Sequence, residues 1–218
     1  MDKNIIQKAV NAYNDSTALL ESIFTTFKKI QNDAGGDFDV RVAMNRYDAL
    51  LQYSMMQVAL KDGTLCEEEV KFIMSLTKYC DLCDYLNQRD FEGVNWQTLY
   101  NTDENVIANV LKHYEADMLE LNKEFISIFA SIDFAIPEHD FVAALRNDAG
   151  IILTSVAAAD DNIKQEEFAP DSLIMVAIAA IEELKSRASS GNLGNVRQQN
   201  IDEKPRKKSL KDFFVKKN

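Results

Sequence analysis

The sequence predicts an all-α protein, a helical bundle built from two divergent helix-turn-helix repeats. Only three prolines and seven glycines interrupt the 218 residues. Apolar side chains recur at helical spacing over most of the chain, and 46% of the residues are apolar, which is ample for a buried core. A chain of this length forms one domain or two small ones.

Residues 1–36 are predicted to form an N-terminal helical segment that precedes the main domain. Apolar residues follow a helical pattern over residues 4–32. Either one helix or two helices fit this pattern, because Asn14-Asp15-Ser16 can interrupt it and Ser16 can cap a second helix. The first clear loop is Asp33-Ala34-Gly35-Gly36-Asp37.

The main domain, residues 37–187, is organised around the stretch from Tyr47 to Leu76. Its first helix is expected to begin near Val42, with apolar positions recurring every three or four residues at Tyr47, Leu50, Leu51, Met55, Val58 and Ala59. This spacing predicts one apolar face, with Asp48, Gln52 and Lys61 directed away from it. The turn Lys61-Asp62-Gly63 is expected to end the helix, because glycine readily adopts positive φ.

Two start positions are possible for the partner helix, which is predicted to run from about Cys66 to Tyr79. In one, Cys66 is the N-cap and Glu69 is the third helical residue, with Leu65 and Val70 as a hydrophobic staple. In the other, Thr64 is the N-cap and Glu67 completes a Thr-x-x-Glu capping box. The sequence leaves both open.

The same pattern returns 98 positions later, between Gly150 and Ile181. The positions Asp62, Leu65, Glu68, Glu69 and Val70 align without gaps with Asp160, Ile163, Glu166, Glu167 and Phe168. This alignment predicts an internal duplication whose two acidic turns are related by an approximate two-fold axis.

A long helix is predicted from Asp103 to about Phe134, after short helices and turns between Cys80 and Asn101. Its apolar side is expected to comprise Val106, Val110, Tyr114, Leu121, Phe125, Ile128 and Phe129.

Two prolines mark the helices that follow this long helix. Pro137 is expected to begin a helix that continues to Ala159, because proline suits a first helical turn. Pro170 is unfavourable inside a helix, so one turn at Gln165 to Phe168 and a restart near Asp171, continuing to about Arg187, are predicted.

Residues 188–218 are predicted to be a disordered linker and a basic tail. Lys204 to Asn218 hold seven Lys or Arg and one Asp, which gives this segment a net charge of +6. Because the whole chain has a net charge of −11, the other 203 residues have a net charge of −17. Leu210, Phe213 and Phe214 are spaced to form one amphipathic turn, which makes them the candidate partner-binding residues. The tail resembles the short peptides that bind sliding clamps, with Lys207 in place of the leading glutamine. We expect it to be largely mobile alone and ordered by a partner.

Composition excludes several classes of protein. A net charge of −11 argues against a body that coats nucleic acid. No apolar stretch reaches the roughly 18 residues of a membrane span, and the first residues hold no signal-peptide core. Three cysteines in a chain of this size indicate reduced thiols. We therefore expect a cytoplasmic protein.

Motifs for enzymatic chemistry are absent from the sequence. Cys80 and Cys83 have the spacing of a metal knuckle, but a structural zinc site needs two further ligands and no second pair is present. His113 and His139, the two histidines, have no nucleophile beside them. There is no phosphate-binding glycine loop and no HExxH motif, so the chain is predicted not to be an enzyme.

The two segments VALKDGTLCEEEV and AAADDNIKQEEF resemble the duplicated motif of the tellurium-resistance TerB-like family. The resemblance covers roughly Val42 to Arg187. It implies a divalent-metal site at the acidic turns, whose matching acids are Asp62, Glu69, Asp160 and Glu167, and an association with tellurite and other chemical stress, in some members through membrane partners. The chain departs from the family at Asp161, where a turn glycine is expected, and at Cys66 and Lys164, where better capping residues are usual.

The acids at these turns have two possible roles. Ca²⁺ or Mg²⁺ needs several oxygen ligands, which Asp62 and the glutamates at positions 67–69 can supply. The same acids can instead cap a helix and stabilise its dipole, by about 0.3–1 kcal/mol each. An EF-hand is excluded, because a loop beginning at Asp160 places Gln165 where glycine is required and Asp171 where glutamate is required.

Three functions are compatible with these observations, the third being an enzyme or a cofactor-carrying bundle without a recognisable motif. The first is a TerB-like, stress-associated adaptor that presents its acidic turns to a divalent cation or to a partner. The alternative is an interaction module whose acids only cap helices and whose tail recruits another protein, a membrane component or a replication component.

Overall fold

The protein is all helical over the residues that the computed structural model describes, which are 2–62, 65–78, 103–135, 141–159 and 172–189. No β-strand occurs in these ranges. The helices are α1 (Lys3–Asp33), α2 (Val40–Ala59), α3 (Glu67–Leu76), α4 (Glu104–Ala135), α5 (Phe141–Ala157) and α6 (Leu173–Ser189), and a 3₁₀ turn, Leu60–Asp62, follows α2. The predicted fold class is confirmed.

Helix α2 is the centre of the bundle. It contacts each of the other five helices just defined, and most of its residues are buried. Asp48 is 0% exposed and Gln52 is 1% exposed. The sequence places these two side chains away from the apolar face and does not predict that both are buried. A helix packed on all sides has no solvent face, so its polar residues also lie in the core.

Helix α1 is a single helix, so the predicted alternative with a break at Asn14-Asp15-Ser16 was wrong. Ser16 is buried inside the helix, and its Oγ donates to the carbonyl oxygen of Tyr13 at 3.0 Å. Asp2 is the N-cap, accepting from the backbone N–H of Asn4 at 2.8 Å. Gly35, with φ of 75°, begins the turn that follows the helix, a conformation that glycine adopts without strain.

Helices α1 and α5 form the most extensive helix pair in the described bundle. Phe24 of α1 is 5.8 Å, centroid to centroid, from Phe129 of α4. Phe129 in turn lies 4.5 Å from Phe125 and 5.4 Å from Phe141, which begins α5. Edge and tilted ring contacts of this kind stabilise a core beyond the burial of their area. The N-terminal helix is thus part of the same hydrophobic core as the rest of the bundle.

Helix α4 has nearly the predicted bounds, and Asp103 caps it by accepting from the N–H of Asn105 at 2.8 Å. Its buried side agrees with the predicted one except at Val106, which is 42% exposed while its neighbour Ile107 is buried. The buried apolar residues are Ile107, Val110, Leu111, Met118, Phe125, Phe129 and Ile132, with Leu121 and Ile128 partly buried.

Helix α5 ends at Ala157, two residues before the predicted end, and α6 spans Leu173–Ser189 where a helix from about Asp171 to Arg187 was predicted. Helix α2 begins at Val40, where Asp39 accepts from the N–H groups of Arg41 and Val42. None of the described helices is both long enough and apolar enough to cross a membrane.

Several predictions lie outside the described residues. These are the short elements between Cys80 and Asn101, the start at Pro137, the turn at Gln165 to Phe168, and residues 190–218 of the predicted linker and tail. The second acidic turn also lies there, so the two-fold relation of the repeats stays a prediction. Ala188 and Ser189, predicted to begin the linker, are instead the last residues of α6. The boundaries at residues 36 and 187 stay predictions as well.

Candidate functional site

Of the four acids predicted to bind a divalent ion, Glu69 has its side chain among the described residues. It lies in the first turn of α3. Asp62 is the last residue of the 3₁₀ turn after α2, and its side chain is outside the description. The other predicted site residues also lie outside it: Asp160, Glu167, Leu210, Phe213 and Phe214. Cys80 and Cys83 lie outside it as well.

Glu69 closes a capping box with Cys66 at the start of α3. Its Oε2 accepts from the backbone N–H of Cys66 at 2.8 Å, and the N–H of Glu69 donates to the Cys66 Sγ at 3.4 Å. Glu69 is 6% exposed, and the staple residues Leu65 and Val70 are both buried. The predicted register with Cys66 as cap is therefore confirmed. Burial, and to a smaller extent the nearby Glu69 carboxylate, raises the pKa of the Cys66 thiol to about 11, so the cap is a neutral thiol at pH 7.

The other acids of this turn are near protein groups too. Glu67 forms an ion pair with Lys71 one turn along the helix. Within the described parts of the chain, no three His, Cys, Asp or Glu side chains are grouped so that they could hold a metal ion. The structure thus shows Glu69 as a helix-capping residue. Metal binding by the acidic turns stays a prediction, and it depends on Asp62, Asp160 and Glu167.

A buried polar cluster centres on Asp48 of α2. The Tyr13 hydroxyl donates to this carboxylate, with distances of 2.9 Å to Oδ2 and 3.1 Å to Oδ1. The backbone N–H of Lys78 donates to Asp48 Oδ2 at 3.1 Å and to the Tyr13 hydroxyl oxygen at 2.7 Å. A buried carboxylate is tolerable only when donors replace its lost hydration, and these two groups supply them.

This cluster fastens the chain where it leaves α3. The Gln52 side-chain amide donates to the Thr77 hydroxyl, and the Lys78 Nζ donates to Asn14 Oδ1 at 2.8 Å. The same ammonium lies 5.7 Å from the centre of the Tyr13 ring, within range of a cation–π interaction. Helices α1 and α2 together therefore hold residues 77–78.

Two further polar side chains of α2 cap the start of α6. Ser54 Oγ accepts from the N–H of Ile174 at 2.9 Å, and Gln57 Oε1 accepts from the N–H of Leu173 at 3.0 Å. The first N–H groups of a helix have no partner within the helix itself. Here a neighbouring helix supplies the acceptors, so α2 positions α6 as well as the end of α3.

Titratable groups beside the Asp48 cluster are strongly affected by burial. Burial, and then the Asp48 charge, raises the pKa of Tyr13, while burial raises that of Tyr47 despite a hydrogen bond to Ser16. Burial also raises the pKa of Asp148 on α5, with Asp15 adding to the shift and Asn147 opposing it. When folding raises the pKa of a carboxyl group, the stability that the group contributes at low pH is lost as the pH rises through its folded-state pKa. Ionised Asp148 therefore opposes folding at neutral pH.

The chemistry of this cluster is structural. Both tyrosines are protonated hydrogen-bond donors at pH 7, and burial raises the pKa of each still further above that pH. Of the two histidines, His113 is on the exposed side of α4, away from these residues, and His139 is outside the description. The cluster joins α1 and α2 to the chain at the end of α3.

None of the protein-family models, curated proteins or solved structures compared with this chain matches it.

Proposed function

We propose that this protein is a cytoplasmic, non-enzymatic interaction module, in which the helical body is a scaffold and the basic tail recruits a partner. The observation that carries the proposal is the Glu69 carboxylate, which is buried and engaged by the Cys66 N–H. An acid used in this way supports a capping role for the motif glutamate. Recognition is then left to other parts of the chain, of which the tail is the most distinct in composition.

The tail suits recruitment because of its charge and its aromatic residues. Seven Lys or Arg residues surround Leu210, Phe213 and Phe214, and the body carries the opposite charge. Exposed pairs between the two contribute only about 0–1 kcal/mol each and are screened by salt, so they do not hold the tail on the body. The partner chemistry that fits is an apolar groove with an acidic rim, on another protein or at an anionic membrane.

In the purified full-length protein at physiological salt, amides from Ser209 to Val215 are expected to exchange with solvent at close to the unprotected rate. Hydrogen exchange with mass spectrometry measures this directly, and the buried amides of α2 in the same sample are the protected reference. Strong protection of the tail in the monomer would show that it is part of the fold, and the recruitment proposal would then be wrong.

A second candidate is the TerB-like adaptor of tellurite and chemical stress, binding Ca²⁺ or Mg²⁺. What supports it is the position of Glu69 in the first turn of a helix that follows a short acidic turn, as in the family motif. Asp62, Asp160 and Glu167 would complete the ligands.

Millimolar Ca²⁺ or Mg²⁺ separates the two candidates. A cation bound only by the native protein stabilises it by about 2.7 kcal/mol at a concentration 100-fold above its Kd, which raises the melting temperature. The double variant Asp62→Asn, Glu69→Gln abolishes that rise if the acids are ligands, and Gln keeps an acceptor oxygen for the Cys66 N–H. Glu21→Gln, an exposed acid of α1 outside the acidic turns, is the matched control. For the interaction module we expect no rise with either cation in any of these proteins.

A further inference from the structure

A groove of about 300 Å³ lies where the chain before α2 and the first turns of α2 face α4. Its apolar surface comes from Phe38, Val42 and Ile128, of which Val42 is 43% exposed. The exposed residues Asp37 and Asp39 line the same groove. A cavity of about 150 Å³ is enough to hold a benzene ring, so this groove has room for aromatic side chains.

The charge of this groove is negative. Arg46 also lines it, but its guanidinium forms an ion pair with Glu124 of α4, with 2.6 Å between Nη1 and Oε2. Asp37 and Asp39 therefore determine the net charge of the lining. The groove between α1 and α5, by comparison, is lined by two basic side chains, with no acid among its described residues. A basic segment with apolar side chains fits the first of these grooves and is repelled by the second.

The chain's own C-terminal tail has this chemistry. Residues 204–218 have a net charge of +6 and contain Leu210, Phe213 and Phe214 at the spacing of one helical turn. Short amphipathic segments bind grooves through anchors at this spacing, and complementary charge selects their position. Exposed ion pairs alone do not hold the tail on the body, but a ring inserted into the groove also buries apolar surface.

The tail begins close enough to the groove to reach it. Lys185, four residues before the end of α6, has its Nζ 5.5 Å from the centre of the Phe141 ring. From that ring, three successive aromatic contacts, of 5.4, 5.8 and 5.9 Å between centroids, lead across the core to Phe38. A random coil as long as residues 190–209 spans about 25 Å on average and about 65 Å when extended. The linker therefore has length to spare.

We propose that this groove is a docking site for the chain's own tail, in which Phe213 and Phe214 lie against Val42 and Ile128 and basic side chains lie beside the two aspartates. Because the same tail residues recruit the partner in the proposed function, on which this inference rests, the groove competes with that partner for them. The effective concentration of a tethered segment is roughly millimolar. With an intrinsic Kd of about 1 mM, the tail is docked about half of the time, and its amide exchange slows only about twofold.

NMR spectra of the full-length protein at physiological salt test the docking. The reporters are the methyl signals of Val42 and Ile128. The comparison is the full-length double variant Phe213→Ala, Phe214→Ala, which removes both rings without changing a charge. We expect the reporter signals to differ between the two chains, and the difference to persist on dilution because the contact is within one molecule. Added NaCl should reduce the difference, since salt screens the charges.

The affinity of the groove is measured by adding a synthetic peptide of residues 204–218 to the double variant, whose own tail no longer competes. We expect saturable shifts of the same signals with a Kd of about 1 mM. Asp39→Asn should weaken binding about two- to fivefold, while asparagine keeps the N-cap of α2. Asp2→Asn, at another exposed N-cap, is the matched control. Asp2 lies about 33 Å along α1 from Phe24, which packs on Phe38, so this change should leave the affinity unaltered.

Identical reporter signals in the wild-type chain and the double variant would overturn the docking site and leave recruitment by the tail untouched. A difference that disappears on dilution would overturn it as well, because the occupant would then be the tail of a second copy. Equal weakening by Asp39→Asn and Asp2→Asn would mean that only the total charge of the body matters, which also excludes this site. Strong protection of the tail amides in hydrogen exchange contradicts the proposed function instead, so the two failures are distinguishable.

Discussion

Replacing Phe129 with alanine is expected to lower the free energy of unfolding by about 3–5 kcal/mol. Phe129 is 0% exposed and contacts the rings of Phe24, Phe125 and Phe141, which belong to three different helices. Loss of the ring removes its burial and leaves a cavity that three helices cannot close together. Urea denaturation followed by circular dichroism measures the change.

The matched control for this substitution is Val106→Ala on the same helix. Val106 is largely exposed, so a change within about 0.5 kcal/mol is expected there. If the two variants lost similar amounts of stability, the packing of α4 against α1 and α5 described above would be incorrect.

Replacing Asp48 with alanine is expected to destabilise the protein by about 2–4 kcal/mol, because the Tyr13 hydroxyl loses the acceptor of its proton and Lys78 loses one of its two acceptors. Asp15→Ala, an exposed acid on α1, is the control and should not destabilise. The two can be compared in the same denaturation experiment.

A double-mutant cycle of Asp48→Ala with Tyr13→Phe tests whether these side chains act as one unit. Since each loses its partner in the other's single variant, the double variant should be less destabilised than the sum of the singles, by about 0.5–3 kcal/mol. Simple additivity would show that the Tyr13–Asp48 hydrogen bond contributes nothing measurable.

Much of the fold is visible in the sequence because helix ends and helical spacing are local properties. The ends of α4 and α6 lie within two residues of their predicted positions. The burial of Asp48 and Gln52 is not a local property, because it depends on how many helices surround α2. One signal was available: Asp48 is the only charged residue from Tyr47 to Leu60, as expected of a helix buried on all sides.

At the candidate site, the sequence alone does not determine which residue caps α3. Cys66 and Thr64 both precede a glutamate by three residues, so local pattern alone supports either start. Tertiary packing decides, by burying Leu65 and Val70 together under the first turn. The caps of α6 have no sequence signal at all, because Ser54 and Gln57 belong to α2, far away in the chain.

The four polar side chains of α2 also connect positions that are remote from one another in sequence. Asp48 and Gln52 hold residues 77–78, and Ser54 and Gln57 hold residues 173–174. A substitution at one of these four positions of α2 therefore acts on a chain position that is remote from it in sequence. Substitutions near Lys78 and near Leu173 should accordingly show epistasis with α2 but not directly with each other. Within this fold, α2 is the element least free to vary, and the two attachment points can evolve only in concert with it.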